Sequence, residues 1–418
     1  MGPGQGDDGS LDSSTDTKVF WPDGSSISVM ERACAVSICL LVFSLVLVVA
    51  VDPRPALGVK LWSPPLGTRT SIFLSGNLSE LVVDPIRSRA YAADRMNNRV
   101  YALDLDNGSV LASIPVREGP TALAIPPSGD ILYVGHGSNR SIMAVNLNSL
   151  AVVRTFETTF LTWEMVAPDA LTLVVTTHDD QWSGDGPYVL NASNGGIVQR
   201  LCSHPLVCNK FYQDTLVATS PDRSWLMLAD SLLCPTALYS YQRGVNGTWP
   251  LVDNNRGPGW GLGCRARDLA FSPDNQYLYL ATAGTSLLKL WTSDFTLVRT
   301  FGSIRESSAV VVSSSGDRVA MSAGDKAIHV FDDVGTPLWS ITMTAPVTRL
   351  RLTANGDRFV AIAGESTVEV VSSSPPSPPS MPLSGVTRTW LLYAALTATT
   401  TEGLVLAVLA LRQRRRAP

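Results

Sequence analysis

A turn signal that recurs seven times constrains the fold of this chain more than any other feature. Most copies combine Pro or Gly with Asp, Asn or Ser, residue types that favour tight turns. Equivalent positions fall at Pro85, Pro127, Pro168, Pro221, Pro273, Ser314 and Ala354. Successive positions are 42, 41, 53, 52, 41 and 40 residues apart. Because a period of roughly 40–50 residues is typical of β-propeller blades, the spacing predicts seven blades.

The fifth copy shows most clearly what one repeat contains. Short segments rich in apolar and aromatic residues alternate with turns at 268–272, 277–282, 287–291 and 296–301. Segments of this kind predict β-strands, and four antiparallel strands make one propeller blade. A single blade leaves an apolar face uncovered, so the blades must stack and close into a ring.

The last repeat fades near Val371, about two strands into its blade. The stretch 62–74, which includes the apolar residues Ile72 and Phe73, precedes the first complete repeat and can supply closing strands. The sequence therefore predicts an all-β, seven-bladed propeller over residues 60–372, closed by both ends of the chain. Six or eight blades are the alternatives.

Two parts of the repeat region resemble known propeller families. Residues 91–104 and 119–135 resemble the YVTN/NHL group, and the blade from Ser272 to Trp291 is similar to WD-repeat blades. The resemblance covers roughly residues 78–372 and implies the propeller fold. It implies no single function, because this group includes cell-surface proteins, lactonases, lyases and scaffolds.

An apolar stretch precedes the repeats. Residues 34–51 contain no charged side chain over 18 positions, which is just enough to cross a bilayer. The preceding segment, 1–33, is rich in Gly, Ser and Asp, and this composition predicts disorder. We expect 34–51 to be an uncleaved transmembrane signal-anchor; a signal peptide cleaved near Ala50 is the alternative.

A second apolar stretch, 389–411, follows the repeats and is succeeded by Arg412, Arg414, Arg415 and Arg416. A basic cluster next to an apolar stretch marks the cytoplasmic side of a transmembrane helix. We therefore expect a transmembrane helix at 389–411, a basic cytoplasmic tail at 412–418, and a Ser/Pro-rich stalk at 373–388. The propeller would then lie on the lumenal or extracellular side, at the plasma membrane or in the secretory pathway.

Sequons and cysteines support this location. Five Asn-x-Ser/Thr sequons predict N-glycosylation at Asn77, Asn107, Asn139, Asn191 and Asn246. The same region holds an even number of cysteines, which favours disulfides: Cys202, Cys208, Cys234 and Cys264. Three pairings are possible; we favour Cys202–Cys208 with Cys234–Cys264, because both pairs fall within the two longest repeats. A zinc site lacks the short C-x₂-C spacing that would support it.

The loops between the second and third strands of the blades share one rim of a propeller, around the channel mouth. Candidate metal ligands on this rim are Asp94, Asp180 and Asp230, and His178 with Asp179 is the candidate catalytic pair. Carboxylates suit Ca²⁺, and the lactonase-like propellers that this chain resembles hold such an ion at the channel mouth. Turn formation alone also explains Asp in these loops.

Three loop tryptophans, Trp182, Trp249 and Trp260, are candidates for ligand contacts, because Trp is enriched at binding hot spots. Packing between blades is the alternative. The net charge of −4 is too mild to indicate a nucleic-acid partner, and no basic patch interleaved with aromatics occurs outside the tail, so we expect no nucleic-acid partner. The sequence predicts a membrane-anchored module that binds a protein or glycan. A calcium-dependent lactonase or lyase-like hydrolase is the alternative.

Overall fold

The computed structural model describes residues 69–178, 186–204, 211, 214–253, 262–303 and 306–373. Within these ranges the chain forms seven four-stranded antiparallel sheets. The prediction of a seven-bladed, all-β propeller is confirmed. The predicted N-terminal disordered segment, both predicted membrane spans, the basic tail and all of the stalk except Ser373 lie outside the described residues. No helix in the described ranges is long and apolar enough to span a membrane.

The strands follow one another in a simple order. A lone strand comes first, β1 (Thr70–Phe73). Blade 1 contains β2 (Leu78–Val83), β3 (Arg89–Asp94), β4 (Arg99–Asp104) and β5 (Ser109–Pro115). Blade 2 contains β6 (Pro120–Ala124), β7 (Ile131–His136), β8 (Ser141–Asn146) and β9 (Ala151–Glu157). Blade 3 contains β10 (Thr162–Asp169), β11 (Thr172–Thr177), β12 (Tyr188–Asn191) and β13 (Ile197–Arg200).

The remaining blades repeat the pattern. Blade 4 contains β14 (Leu216–Thr219), β15 (Trp225–Ala229), β16 (Leu238–Gln242) and β17 (Leu251–Asp253). Blade 5 contains β18 (Cys264–Phe271), β19 (Tyr277–Ala283), β20 (Leu287–Trp291) and β21 (Leu297–Phe301). Blade 6 contains β22 (Ser307–Val312), β23 (Arg318–Ala323), β24 (Ala327–Asp332) and β25 (Pro337–Thr342). Blade 7 contains β26 (Val347–Leu352), β27 (Arg358–Ala363) and β28 (Thr367–Ser372).

Blade 7 is completed by β1, which pairs with β28 in the order β1-β28-β27-β26. The pairing is antiparallel, with Thr70 opposite Val370 and Phe73 opposite Thr367. The prediction that residues from 62–74 close the ring is therefore confirmed. The C-terminal part supplies three strands of this blade rather than about two, so a single strand from the N-terminal side is sufficient.

The apolar core lies between the blades. Each of the seven apolar clusters joins one pair of neighbouring blades, including blade 7 with blade 1. Since a blade is covered on both faces, its second strand is buried almost throughout, as in β3, β11 and β27. Continuous apolar strands are expected where both faces of a sheet are covered.

The outermost strands carry β-bulges at equivalent places. In blades 1 to 6 the register shifts by one residue near the start of the strand. The extra residue is an exposed aliphatic side chain in each case: Leu111, Val153, Val198, Val252, Val298 and Leu338. A bulge bends and twists an edge strand, so it hinders pairing with a second molecule.

Candidate functional site

The first strands of the seven blades line a central channel. Each first strand forms one edge of its sheet, and β2, β6, β10, β14, β18, β22 and β26 contact one another in a closed ring. Their channel-facing edge has no neighbouring strand, so its amide and carbonyl groups need other partners. Polar side chains on this edge can supply those partners.

Five charged residues from four first strands form a cluster in the channel, called here the channel cluster: Glu80, Glu164, Asp268, Arg349 and Arg351. Arg349 Nε lies 2.8 Å from Glu80 Oε2, and Arg351 Nη2 lies 3.0 Å from Glu80 Oε1. Arg351 Nη1 lies 3.5 Å from Asp268 Oδ2. Both arginines reach the cluster because residues two apart in a strand share one face.

Three members of the cluster occupy one equivalent position of the repeat, immediately after the bulge in the first strand. Glu80 pairs with Ala93, Asp268 with Ala281, and Arg349 with Ile362, in each case after a register shift. In blade 2 the residue at this position is Ala122, which pairs with Gly135. The same position of the repeat therefore carries a charged side chain in three blades and a small apolar one, Ala122, in blade 2.

Two carboxylates of the cluster also bind backbone amides of the following blade. Val217 N donates to Glu164 Oε2 at 3.0 Å, and Val310 N donates to Asp268 Oδ2 at 3.1 Å. Each amide belongs to a first strand and would otherwise lack a partner at the channel edge. The acids therefore join adjacent blades.

The local environment gives the carboxylates different proton affinities. Burial opposes ionisation of Glu80, but Arg349 and Arg351 outweigh it and hold the pKa of Glu80 below its usual value. Burial, together with the nearby charge of Glu80, raises the pKa of Glu164 to about 8. Burial also raises the pKa of Asp268, although Arg351 opposes this. Of the three carboxylates, Glu164 is therefore the one that holds a proton most readily.

A cavity of about 320 Å³ adjoins the channel cluster. Its polar wall contains Glu80, Glu164 and Arg351. Apart from Thr219, the other side chains that line it are apolar and include Val82, Ala122, Ala124, Met165, Val217 and Leu352, while polar and apolar atoms contribute about equally to the exposed wall. A concave space that combines apolar side chains with a few charged groups can hold a small ligand.

The structure places His178 at the end of β11, on the rim. Its Nδ1 forms a short hydrogen bond with Asp214 Oδ1, and its ring stacks on Trp163 with centroids 5.0 Å apart. Asp179, the predicted orienting carboxylate, lies outside the described residues. Asp214 therefore is the carboxylate that orients His178 in the part of the chain that the structure describes.

The predicted metal ligands Asp94 and Asp230 are both buried. Asp94 Oδ1 accepts hydrogen bonds from Asn77 N and Met96 N, each at 3.1 Å. Asp230 accepts from Thr215 Oγ1 and Tyr239 OH, each at 3.2 Å. These contacts fit the structural role of turn carboxylates. Asp180 lies outside the described residues, and no group of three or more His, Cys, Asp or Glu within the described ranges could hold a metal ion.

Trp249 is fully buried in the apolar cluster between blades 3 and 4. Trp249 N donates to Gln199 Oε1, and Gln199 Nε2 donates to Trp249 O, both at 2.8 Å. Its role is therefore packing, the alternative that the sequence left open, and not surface contact. Trp182 and Trp260 lie outside the described residues.

Cys234 and Cys264 form a disulfide, as the preferred local pairing predicts. It connects the loop after β15 in blade 4 to the start of β18 in blade 5. Cys202 is also disulfide-bonded, and its predicted partner Cys208 lies outside the described residues.

The five sequons all lie in turns or at strand ends. Asn77, Asn107 and Asn246 are exposed, whereas Asn139 and Asn191 are half-buried. At Asn139, Asn191 and Asn246 the hydroxyl two residues later donates to the Asn Oδ1, at 2.8, 2.6 and 2.6 Å. Glycosylation at these positions stays a prediction.

Sequence reasoning missed the channel cluster because it searched the loops. A signal was present in the strands: a single acid inside the apolar segment of β2, and two arginines alternating with apolar residues in β26. Lone charges in otherwise apolar strands are rarely fully buried unless they are paired.

Comparisons with known proteins support the fold. The chain is similar to hydrazine synthase from Kuenenia stuttgartiensis, with a TM-score of 0.58, 14% identity, and coverage of 72% of this chain and 97% of that chain. It is also similar to U3-55K, with a TM-score of 0.57, 14% identity, and coverage of 72% and 98%. No protein-family model matches the chain, and no curated protein matches it. At this identity the similarity shows the propeller fold alone.

Proposed function

We propose that this chain is a membrane-anchored binding module whose propeller lies on the lumenal or extracellular side and receives part of a ligand in its central channel. The main support for this proposal is the cavity beside Glu80, Glu164 and Arg351. The two apolar stretches, the basic C-terminal residues and the sequons support the location. The resemblance to YVTN/NHL propellers, a group that includes cell-surface proteins, is consistent with it.

The ligand in this proposal is a protein or a glycan. The cavity wall favours a protein, because it presents polar and apolar surface in about equal parts and a protein side chain can supply an apolar stem with a polar end. A glycan would instead need hydrogen-bonding partners, and two polar side chains of the wall, Glu80 and Arg351, are already paired with each other.

The location is tested by expressing the full chain in cells with a secretory pathway and treating it with an N-glycosidase. We expect a mobility shift that decreases when Asn246, on an exposed turn, is changed to Gln. An unshifted wild-type chain would contradict the lumenal or extracellular location.

The binding site is tested by filling the cavity. Thr219 lines the cavity and is half-buried, so Thr219→Trp should obstruct it. Thr300→Trp, on the exposed outer strand β21, is the matched control. We expect proximity labelling of intact cells to mark a partner with the wild type and the control, and at least tenfold less with Thr219→Trp. Equal labelling of the partner by all three chains would show that the partner does not bind in the channel.

A calcium-dependent hydrolase is the second candidate, favoured by the hydrogen bond between His178 and Asp214 on the rim. A carboxylate-oriented imidazole can act as a general base. The test is hydrolysis of a panel of lactones and esters with calcium and with chelator. Activity that needs calcium and is lost in His178→Ala would support this function, and full activity in that variant would exclude His178.

A further inference from the structure

We infer that the cavity beside the channel cluster binds an alkylammonium group, the chemistry of a lysine side chain or a small aliphatic amine, through an ion pair with Glu164. This inference deepens the proposed function, because it names the ligand chemistry of the same site. It rests on the pairing of the other charged groups, on the apolar side chains in part of the wall and on the size of the cavity.

Glu164 is the one carboxylate of the channel cluster that has no ion pair with a described residue. Glu80 is paired with both arginines, and Asp268 is paired with Arg351. Glu164 Oε2 accepts a hydrogen bond from Val217 N. Its Oε1 has no hydrogen-bonding partner among the described residues, and its side chain lines the cavity. A cation entering the cavity would therefore meet this carboxylate.

The wall decides what kind of cation fits. A calcium ion needs six to eight oxygen ligands, and no three acidic, His or Cys side chains within the described ranges are placed to hold a metal ion together. An ammonium needs fewer partners, and its methylene stem gains from contact with apolar residues such as Val82, Met165 and Val217. Ligand cavities measure roughly 300–1,000 Å³, so about 320 Å³ suits one extended side chain rather than a folded segment.

An anionic ligand is disfavoured because both arginines already face carboxylates. Arg351 contacts Glu80 and Asp268, and Arg349 contacts Glu80. An anion could bind them only by separating these pairs, which leaves a buried carboxylate uncompensated. The cluster therefore accepts a positive charge with less rearrangement than a negative one.

Binding is coupled to a proton. The protonated carboxyl of Glu164 loses its proton to solvent, and the resulting carboxylate pairs with the incoming ammonium, so that one positive charge enters as one leaves. The pKa of Glu164 is raised to about 8. Below that pH, the affinity for the ammonium should therefore increase by up to about tenfold for each unit by which the pH is raised. It should fall again once the amine loses its own proton, near pH 10 for a lysine side chain.

The test uses the full chain, purified in a non-ionic detergent, and two probes that differ by the charged group alone: Nα-acetyl-lysine amide and Nα-acetyl-norleucine amide. We expect calorimetry at pH 7.5 to show at least tenfold tighter binding of the lysine compound. Its affinity should increase several-fold between pH 6.5 and 7.5, with a net release of protons into the buffer. Equal binding of the two probes, or no dependence on pH, would overturn the inference.

Two variants separate the site from the fold. Glu164→Gln keeps the shape of the side chain and should lose at least tenfold in affinity and the pH dependence, while Glu365→Gln, an exposed acid on a rim turn, should behave as the wild type. Thr219→Trp should also abolish binding without altering the charges. Unchanged binding by Glu164→Gln would contradict the inference even if Thr219→Trp binds poorly.

The source of the ammonium is assigned by a third comparison, between n-pentylamine and a lysine-containing peptide. Tighter binding of the peptide indicates a protein partner, and equal binding indicates a small amine. If neither amine binds but Thr219→Trp still loses its partner on cells, the ammonium inference fails and the binding module stands. If Thr219→Trp keeps its partner as well, both fail.

Discussion

Arg69 Nη2 donates to Glu369 Oε1 at 2.7 Å, although 300 positions separate the two residues in the sequence. Glu369 is fully buried on β28, and Thr344 N donates to the same oxygen at 3.1 Å. Arg69 immediately precedes β1, so this ion pair fixes the closing strand at the place where the ring is sealed. The two ends of the propeller are held together by an ion pair as well as by strand pairing.

Replacing Arg69 by Ala should destabilise the propeller, because Glu369 would remain buried without its cation. Losing one partner of a buried pair costs about 3–5 kcal/mol, and the partial exposure of Arg69 places the expected loss near the lower end. This loss of stability is measured by thermal unfolding. Arg95→Ala, an exposed site, is the control and should change stability by less than about 0.5 kcal/mol. Equal stability of both variants would show that strand pairing alone closes the ring.

The stability of the propeller should decrease as the pH rises from about 5 to 8, because of Glu164. Its pKa is raised to about 8 in the folded chain, so within this window the folded state holds a proton that the unfolded state has released. The slope is at most about 1.4 kcal/mol per pH unit. Denaturant unfolding at pH 5.5, 6.5 and 7.5 should show the slope in the wild type and a smaller one in Glu164→Gln. If Glu164→Gln keeps the full slope, the pH dependence comes from another titratable group.

Removing the disulfide by the double substitution Cys234→Ser and Cys264→Ser should lower the free energy of unfolding. The two cysteines are 30 positions apart, and the chain-entropy model gives roughly 3–4 kcal/mol for a loop of that length. The measurement is thermal unfolding of the double variant beside the wild type. Adding a reductant should also lower the midpoint temperature of thermal unfolding of the wild type. A double variant as stable as the wild type would mean that the backbone contacts around the disulfide are sufficient.

Truncating Trp249 should act on stability, because the side chain is fully buried between blades 3 and 4. Trp→Ala substitutions in a core cost about 3–5 kcal/mol. Trp291, which is 39% exposed, is the matched control, and Trp291→Ala should cost about 1 kcal/mol or less. The measurement is the denaturant concentration at the midpoint of unfolding, compared between the two variants. A larger effect at Trp291 would contradict the assignment of Trp249 to packing.

The repeat pattern alone was sufficient to predict the blades, since turn residues have local backbone preferences and recur at a regular period. It also indicated the closing strand, because an incomplete last blade needs a strand from elsewhere. The pairing of Cys234 with Cys264 could be chosen from their position in a long repeat. These conclusions depend on local chemistry, which a sequence displays directly.

The roles of the rim residues could not be predicted in this way, because loop composition does not distinguish a carboxylate that binds a metal from one that stabilises a turn. Asp94 looked like a metal ligand, and the structure shows its carboxylate bound to the amides of its own turn. His178 was identified from its type, but its partner Asp214 lies 36 positions away. Such a contact is visible only when two blades lie side by side.

The amino-acid sequence by itself determined the number of blades, the closure by both chain ends and the local disulfide, because turns, strand patterns and repeat lengths depend on neighbouring residues. Only the tertiary structure decided which charged side chains meet in the channel. Glu80, Glu164, Asp268, Arg349 and Arg351 are spread over 271 positions, and they meet because the first strand of every blade faces the same channel. Ring closure converts equivalent positions in distant repeats into one site, and no local pattern records which charges will face each other.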